Sequence, residues 1–162
     1  MKLRHELTPP LLDEQLVSRL AKLADAIDGN PSEALRAEFN KLAGTELPMS
    51  FFQGIYGSED HANFVRRELR QQHIKPVLDV TREELVEIVR RAMKPDRVGS
   101  HEAYIALFDR NVPLPHASNL IFYPADYDDR NATWGDGKPI SDYDPSAEQI
   151  VDWALDSTLF QR

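Results

Sequence analysis

Apolar side chains recur at spacings of three and four along most of the chain, and polar residues fill the gaps. Leu12, Leu16, Leu20, Leu23 and Ile27 mark one stripe, which predicts an amphipathic helix capped by Thr8, with Pro9 and Pro10 in its first turn. Asp28-Gly29-Asn30-Pro31 ends it. A second helix is expected to open at Pro31, bury Leu35, Phe39 and Leu42, and close at Gly44, giving an antiparallel helical hairpin. Residues 46–57, ELPMSFFQGIYG, read as a short helix or turn buried against that hairpin. Ser58-Glu59-Asp60 caps the next helix, with Ala62, Val65 and Leu69 inward and Arg66, Arg67 and Arg70 on a solvated face. His73 to Asp79, with Pro76 inside, reads as a linker.

Beyond the linker the same period returns. Thr81-Arg82-Glu83-Glu84 is a capping box, in which hydroxyl and carboxylate satisfy each other's free amides. Leu85, Ile88, Val89 and Ala92 follow as a buried stripe that Pro95 ends. Ser100 is expected to cap a helix running to Asn111, with Tyr104, Leu107 and Phe108 inward. Aspartate, glycine, asparagine and proline dominate residues 125–144, which therefore read as loop. Asp144 and Pro145 open a last helix that buries Ile150, Val151, Ala154 and Leu155. No stretch alternates in the manner of a strand. The expected fold class is all-α: a helical bundle, with domains 1–78 (a helical hairpin plus a basic-faced helix) and 79–162 (an acidic helical bundle).

Charge changes this picture. Residues 1–95 carry 15 acidic against 14 basic side chains, whereas residues 96–162 carry 12 against 5. Nearly all of the net charge of −8 thus belongs to the C-terminal part. Such a balance repels nucleic acid and favours basic partners or cations. The chain has no cysteine, so disulfides, thiol catalysis and cysteine-metal sites are excluded. The N-terminus, MKLRHELTPPLLDEQ, is charged too early for the apolar core of a signal peptide, and no apolar run approaches the roughly 18 residues of a membrane span. A cytoplasmic protein without membrane contact is expected.

Candidate chemistry is sparse. His5, His61, His73, His101 and His116 are scattered, with no ligand-like spacing to a carboxylate. Asp126, Asp128, Asp129, Asn131 and Asp136 supply oxygens for a hard cation, but the alternation of an EF-hand is missing and Trp134 interrupts the run, so a solvated loop is the simpler reading. No phosphate loop, serine elbow or catalytic triad order is present. No enzyme activity, metal or cofactor is expected.

One segment stands out. In PLPHASNLIFYPADYDD, residues 113–129, an apolar run ends at Pro124 and meets a burst of acid. Leu120 and Ile121 are natural core residues. Phe122 and Tyr123 either cover that core or face outward as interface anchors, with nearby carboxylates steering a basic partner. Residue types alone leave both alternatives open.

Ser118-Asn119-Leu120-Ile121-Phe122-Tyr123-Pro124 resembles the Ser-Asp-Leu-Ile-Tyr-Tyr-Pro hallmark of the colicin/pyocin nuclease immunity proteins, small acidic four-helix proteins that bind and silence a bacteriocin nuclease. Pro115 matches the proline preceding the hallmark, Thr81-Arg82-Glu83-Glu84-Leu85 the opening of a first helix, Phe108 a core place in the second, and Asp144-Pro145-Ser146 with Ile150-Val151 the start of the last. The resemblance covers about residues 79–160. It implies a four-helix bundle there with an N-terminal helical extension, no catalysis, and a protein partner, a basic nuclease-type toxin. By the same resemblance the shared anchors are Phe122 and Tyr123 with Asn119, and the partner-specific contacts fall near His101, Glu102, Ile105 and Asp109. Three departures stand out: Asn119 for aspartate, Phe122 for tyrosine, and a longer loop at 125–144. The alternative is a helical interaction or self-associating module without a toxin partner, carried by residues 46–72. Residues 1–78 have no counterpart in the resemblance.

Overall fold

A computed structural model describes residues 1–57, 60–94 and 100–156. The described residues are mostly helical, with six α-helices, short 3-10 turns and one hairpin of two-residue strands. The all-α expectation holds. The chain divides into two compact units, one made of Pro10–His73 and the other of Met1–Pro9 together with the chain from Ile74 onward.

In the unit of residues 10–73, α1 (Glu14–Gly29) packs on α2 (Glu33–Ala43) and α3 (His61–Gln71). The cap of α1 is Asp13, not Thr8: its carboxylate accepts from the amides of Gln15 and Leu16. Pro9 stands before a second proline, which favours extended backbone there and delays the helix. Ser32 caps α2 in place of Pro31, its hydroxyl accepting from Leu35 N. Gly44 closes α2 in a left-handed conformation at φ 70°, which a residue lacking Cβ adopts without strain. α1 touches two helices, so its fully buried residues are Val17, Leu20, Ala24 and Ile27, while Leu12, Leu16 and Leu23 are half-buried. The core is centred on Phe39, Phe52 and Phe64, with ring centroids 4.9 to 6.4 Å apart. Phe52 and Ile55 come from short turns in the 46–57 segment, as its apolar run predicts. Arg66, Arg67 and Arg70 are half-buried, with Arg66 paired to Glu14 at 3.0 Å and Arg67 lying over the Phe64 ring. The expected capping residues Ser58 and Glu59 lie outside the described residues. Asp60 caps α3 by accepting from Asn63 N at 2.7 Å.

In the other unit, α4 (Arg82–Ala92) packs on α5 (Ser100–Asn111) and on α6 (Ala147–Leu155), and a 3-10 turn at Ala117–Ile121 packs between α5 and α6. Leu85, Ile88 and Val89 of α4, Leu107 and Phe108 of α5, and Ile150 and Val151 of α6 make one core. Leu3 and Leu7 are buried in that same core, so the first nine residues stand apart from the rest of the expected 1–78 region. The expected boundary at 78/79 likewise differs from the division at 73/74. Arg4 fixes the segment polarly, through Glu84 at 2.7 and 3.0 Å and Asp79 at 3.0 Å. The Thr81–Glu84 capping box is formed as expected. Ser100 is the first residue of α5 rather than its cap, and Pro95 lies outside the described residues. A second capping box, Ser146 with Gln149, starts α6 in place of Asp144 and Pro145. Leu155, expected inward, ends α6 and is exposed.

Residues 125–144 are not plain loop. Strands β1 (Thr133–Trp134) and β2 (Lys138–Pro139) pair antiparallel across Gly135 and Gly137, both at positive φ. Two residues are too few to leave an alternating pattern in the sequence.

Candidate functional site

The hallmark segment forms a tight turn, and its inward residues determine what is left outside. His116 opens it in a left-handed conformation, φ 54°. Ser118 then donates both its backbone N–H and its hydroxyl to the two carboxylate oxygens of Asp109 on α5, each at 2.7 Å. The carbonyl of Asn119 accepts from Phe122 N at 3.0 Å and from Tyr123 N at 2.8 Å, closing the turn on itself. Pro124, buried and without an N–H to donate, stops it.

Ala117, Ser118 and Leu120 fill the inward positions. Ile121 is half-buried against the core. Asn119, Phe122 and Tyr123 are therefore left facing out, with the two rings 57% and 50% exposed. Tyr123 rests on Tyr127, ring centroids 4.7 Å apart. The outward alternative for these rings is the one observed.

The α5 candidates differ among themselves. Glu102 is exposed, while His101 and Ile105 are half-buried, Ile105 against the core. His101 Nδ1 is buried and has no hydrogen-bond partner among the described residues. Asp109 is spent on Ser118, so it joins α5 to the turn instead of standing free. Residues 102, 105 and 109 share one helix face, which meets the hallmark turn where Asp109 accepts from Ser118.

The sequence reading missed a pocket beside the rings. Trp134 from the hairpin, Trp153 from α6, Asp126 and Gly135, with Leu120 and Pro124 from the turn, line a volume of about 230 Å³. Tyr143 holds its walls. The Tyr143 ring meets Trp134 edge-on at 5.4 Å, stacks on Trp153 at 6.4 Å, and its hydroxyl donates to the Leu120 carbonyl. Burial, reinforced by the Asp126 charge, pushes the Tyr143 phenol up to about 12. The paired glycines at 135 and 137 were the only sequence signal of this hairpin.

The acidic loop holds itself together. Asp128 accepts from Asn131 Nδ2 at 2.8 Å and Arg130 N at 3.0 Å, and these bonds, the Asn131 one foremost, hold its carboxyl below the usual range. Asp126 accepts from Gly135 N at 2.8 Å. Among the described residues no three histidine, aspartate or glutamate side chains converge as metal ligands, and no helix is long and apolar enough to cross a membrane. The turn presents two ring faces and a phenol hydroxyl, and along the 125–144 segment Asp126, Asp129, Asp136, Asp142 and Asp144 are exposed.

Residues 77–133 match the model of the family described as colicin immunity protein / pyocin immunity protein. The matched span lies in the C-terminal part of the chain and contains the hallmark turn, α4 and α5. It stops short of Trp134, the 138–139 strand and α6. Comparison with curated proteins and with solved structures gives no match.

Proposed function

We propose that the C-terminal unit is an immunity-type inhibitor, which binds and silences a basic bacterial toxin domain of the nuclease type in the cytoplasm. The observation that carries this reading is the exposure of Phe122 and Tyr123 within the span that matches an inhibitor family. Two large rings side by side in water are costly unless something covers them, and such residues are preferred anchors of interfaces.

The anchors are Phe122 and Tyr123, with Asn119 beside them. Glu102, Ile105 and His101 on α5 supply the contacts that select one partner, while Asp109 keeps helix and turn in register. Exposed aspartates around the rings provide a negative fringe. A nuclease presents arginines and lysines to phosphate, so the same groove attracts that fringe and is occluded by it. The role asks for no catalytic group and no cofactor on this chain.

The test is a calorimetric titration of the chain against the toxin-type nuclease domains of its own genome, starting with any encoded next to it. A tight 1:1 complex that abolishes nuclease activity supports the reading. Absence of any complex, with Phe122→Ala and Tyr123→Ala affecting only folding, overturns it.

A further inference from the structure

Both tryptophans of the chain line the pocket beside the ring pair. Three of its determining residues, Trp134, Gly135 and Trp153, lie beyond the span matched by the family model. The pocket therefore needs its own account. At about 230 Å³ it is smaller than the roughly 300–1,000 Å³ of sites that hold whole small molecules, but it suits one long side chain. Its walls are indole rings, leucine and proline, and its single charged lining group is Asp126. One oxygen of Asp126 accepts from Gly135 N, and no hydrogen bond within the described residues engages the other.

These walls favour a cation. The electron-rich faces of indoles attract ammonium and guanidinium groups, and a carboxylate at the rim adds a directed partner. Trp134 already acts this way within the chain, with Lys138 Nζ lying 4.7 Å from its ring centroid. An anion is disfavoured by Asp126. A neutral apolar group would leave the open carboxylate oxygen without its water and without a replacement bond.

We propose that this pocket is a receptor for one arginine side chain of the partner protein, its guanidinium stacked against the indole walls and bonded to Asp126. Arginine is chosen over lysine because its planar group stacks on rings and meets a carboxylate in two bonds. Position supports the assignment. Leu120 and Pro124, which flank Phe122-Tyr123 in the turn, are themselves pocket lining, so the pocket adjoins the turn that carries the rings. The identity of the occupant rests on the proposed basic partner. The preference for a guanidinium group rests on the pocket alone.

The test needs no toxin. All tryptophan fluorescence of the chain arises in this pocket. Titration with N-acetyl-arginine amide is expected to give a saturable change with a midpoint on the order of millimolar, and N-acetyl-citrulline amide, the same shape without charge, to bind at least about tenfold more weakly. Asp126→Asn keeps an acceptor for Gly135 N but removes the charge, and is expected to weaken binding by about tenfold. Lys138→Gln removes the internal cation beside Trp134 and is expected to strengthen it. Equal binding of the citrulline compound, an Asp126→Asn variant that binds as well as the parent, or no saturation in the millimolar range overturns the proposal. A toxin complex that forms beside a silent titration removes the pocket and spares the inhibitor reading, whereas a positive titration without any toxin complex does the reverse.

Discussion

Asp109 and Ser118 form a two-bond clasp, in which both carboxylate oxygens of one accept from the backbone N–H and the hydroxyl of the other at 2.7 Å. This clasp sets the pitch of the hallmark turn against α5. Ser118 is buried, so removing its acceptor strands two donors away from water. Asp109→Ala is expected to cost about 1–3 kcal/mol of stability by urea denaturation, and to weaken binding of the proposed partner by displacing the rings. Unchanged stability would return Asp109 to the role of a free surface contact.

Phe122 should behave in the opposite way. It is more than half exposed, so Phe122→Ala is expected to change stability by no more than about 0.5 kcal/mol. Its expected effect is on binding, a loss of about 2 kcal/mol or more, as for an interface anchor. Denaturation and calorimetry on the same variant separate the two. Tyr123→Ala is a less clean probe, because it also removes the contact with Tyr127.

The first nine residues should matter to the C-terminal unit. Leu7 is wholly buried in its core, and Leu7→Ala is expected to cost about 2–5 kcal/mol. A fragment beginning at residue 74 keeps the rest of the unit but lacks Leu3, Arg4 and Leu7, and is expected to unfold at lower urea than the same unit in the full chain. Equal midpoints would show that the segment is ornamental.

Acid should loosen the Arg4 clamp. The Arg4 guanidinium holds the buried Glu84 carboxyl below its ordinary value of 4.5, against the opposing effect of burial. A carboxyl lowered on folding contributes stability that is complete above the unfolded value and is lost as pH falls through the folded one. Stability is therefore expected to decline below pH 4.5. In Arg4→Met the decline should be shallower, because the carboxyl no longer has a cation to lose. Urea midpoints collected across the acid range for parent and variant give the comparison.

Alkali should act on the fold through Tyr143. Its phenol is pushed from 10 to about 12, so the folded chain keeps a proton that the unfolded chain releases. Stability is expected to fall between those values as pH rises, and ultraviolet titration should show one tyrosinate appearing near the upper value. Tyr143→Phe abolishes that late step and releases the hydroxyl contact with Leu120.

Local chemistry was legible from the sequence wherever partners are neighbours in the chain. The Thr81–Glu84 capping box, the Gly44 stop and the buried period of α4 each involve residues within one or two turns of each other, so propensity and spacing suffice. The failures also follow a rule. Thr8 has the residue type of a cap, but the two prolines that follow it hold the backbone extended and move the helix start to Asp13. The short hairpin has too few residues for periodicity to register, and Tyr143 and the tryptophan pocket depend on it.

What the sequence determined by itself is a mostly helical chain with its net charge concentrated C-terminally, and a proline-stopped aromatic turn that resembles the immunity-protein hallmark. What only the tertiary structure decided is direction and company. Arg4 reaches Glu84 across 80 residues, Asp109 takes Ser118, and Tyr143 bridges two tryptophans from different elements. Periodicity fixes which residues share a face. It cannot fix which faces meet, because that depends on how distant segments close on one another. Phe122 and Tyr123 face water because Leu120 and Ser118 already fill the space beneath them, and no property of two aromatic residues read in line states that.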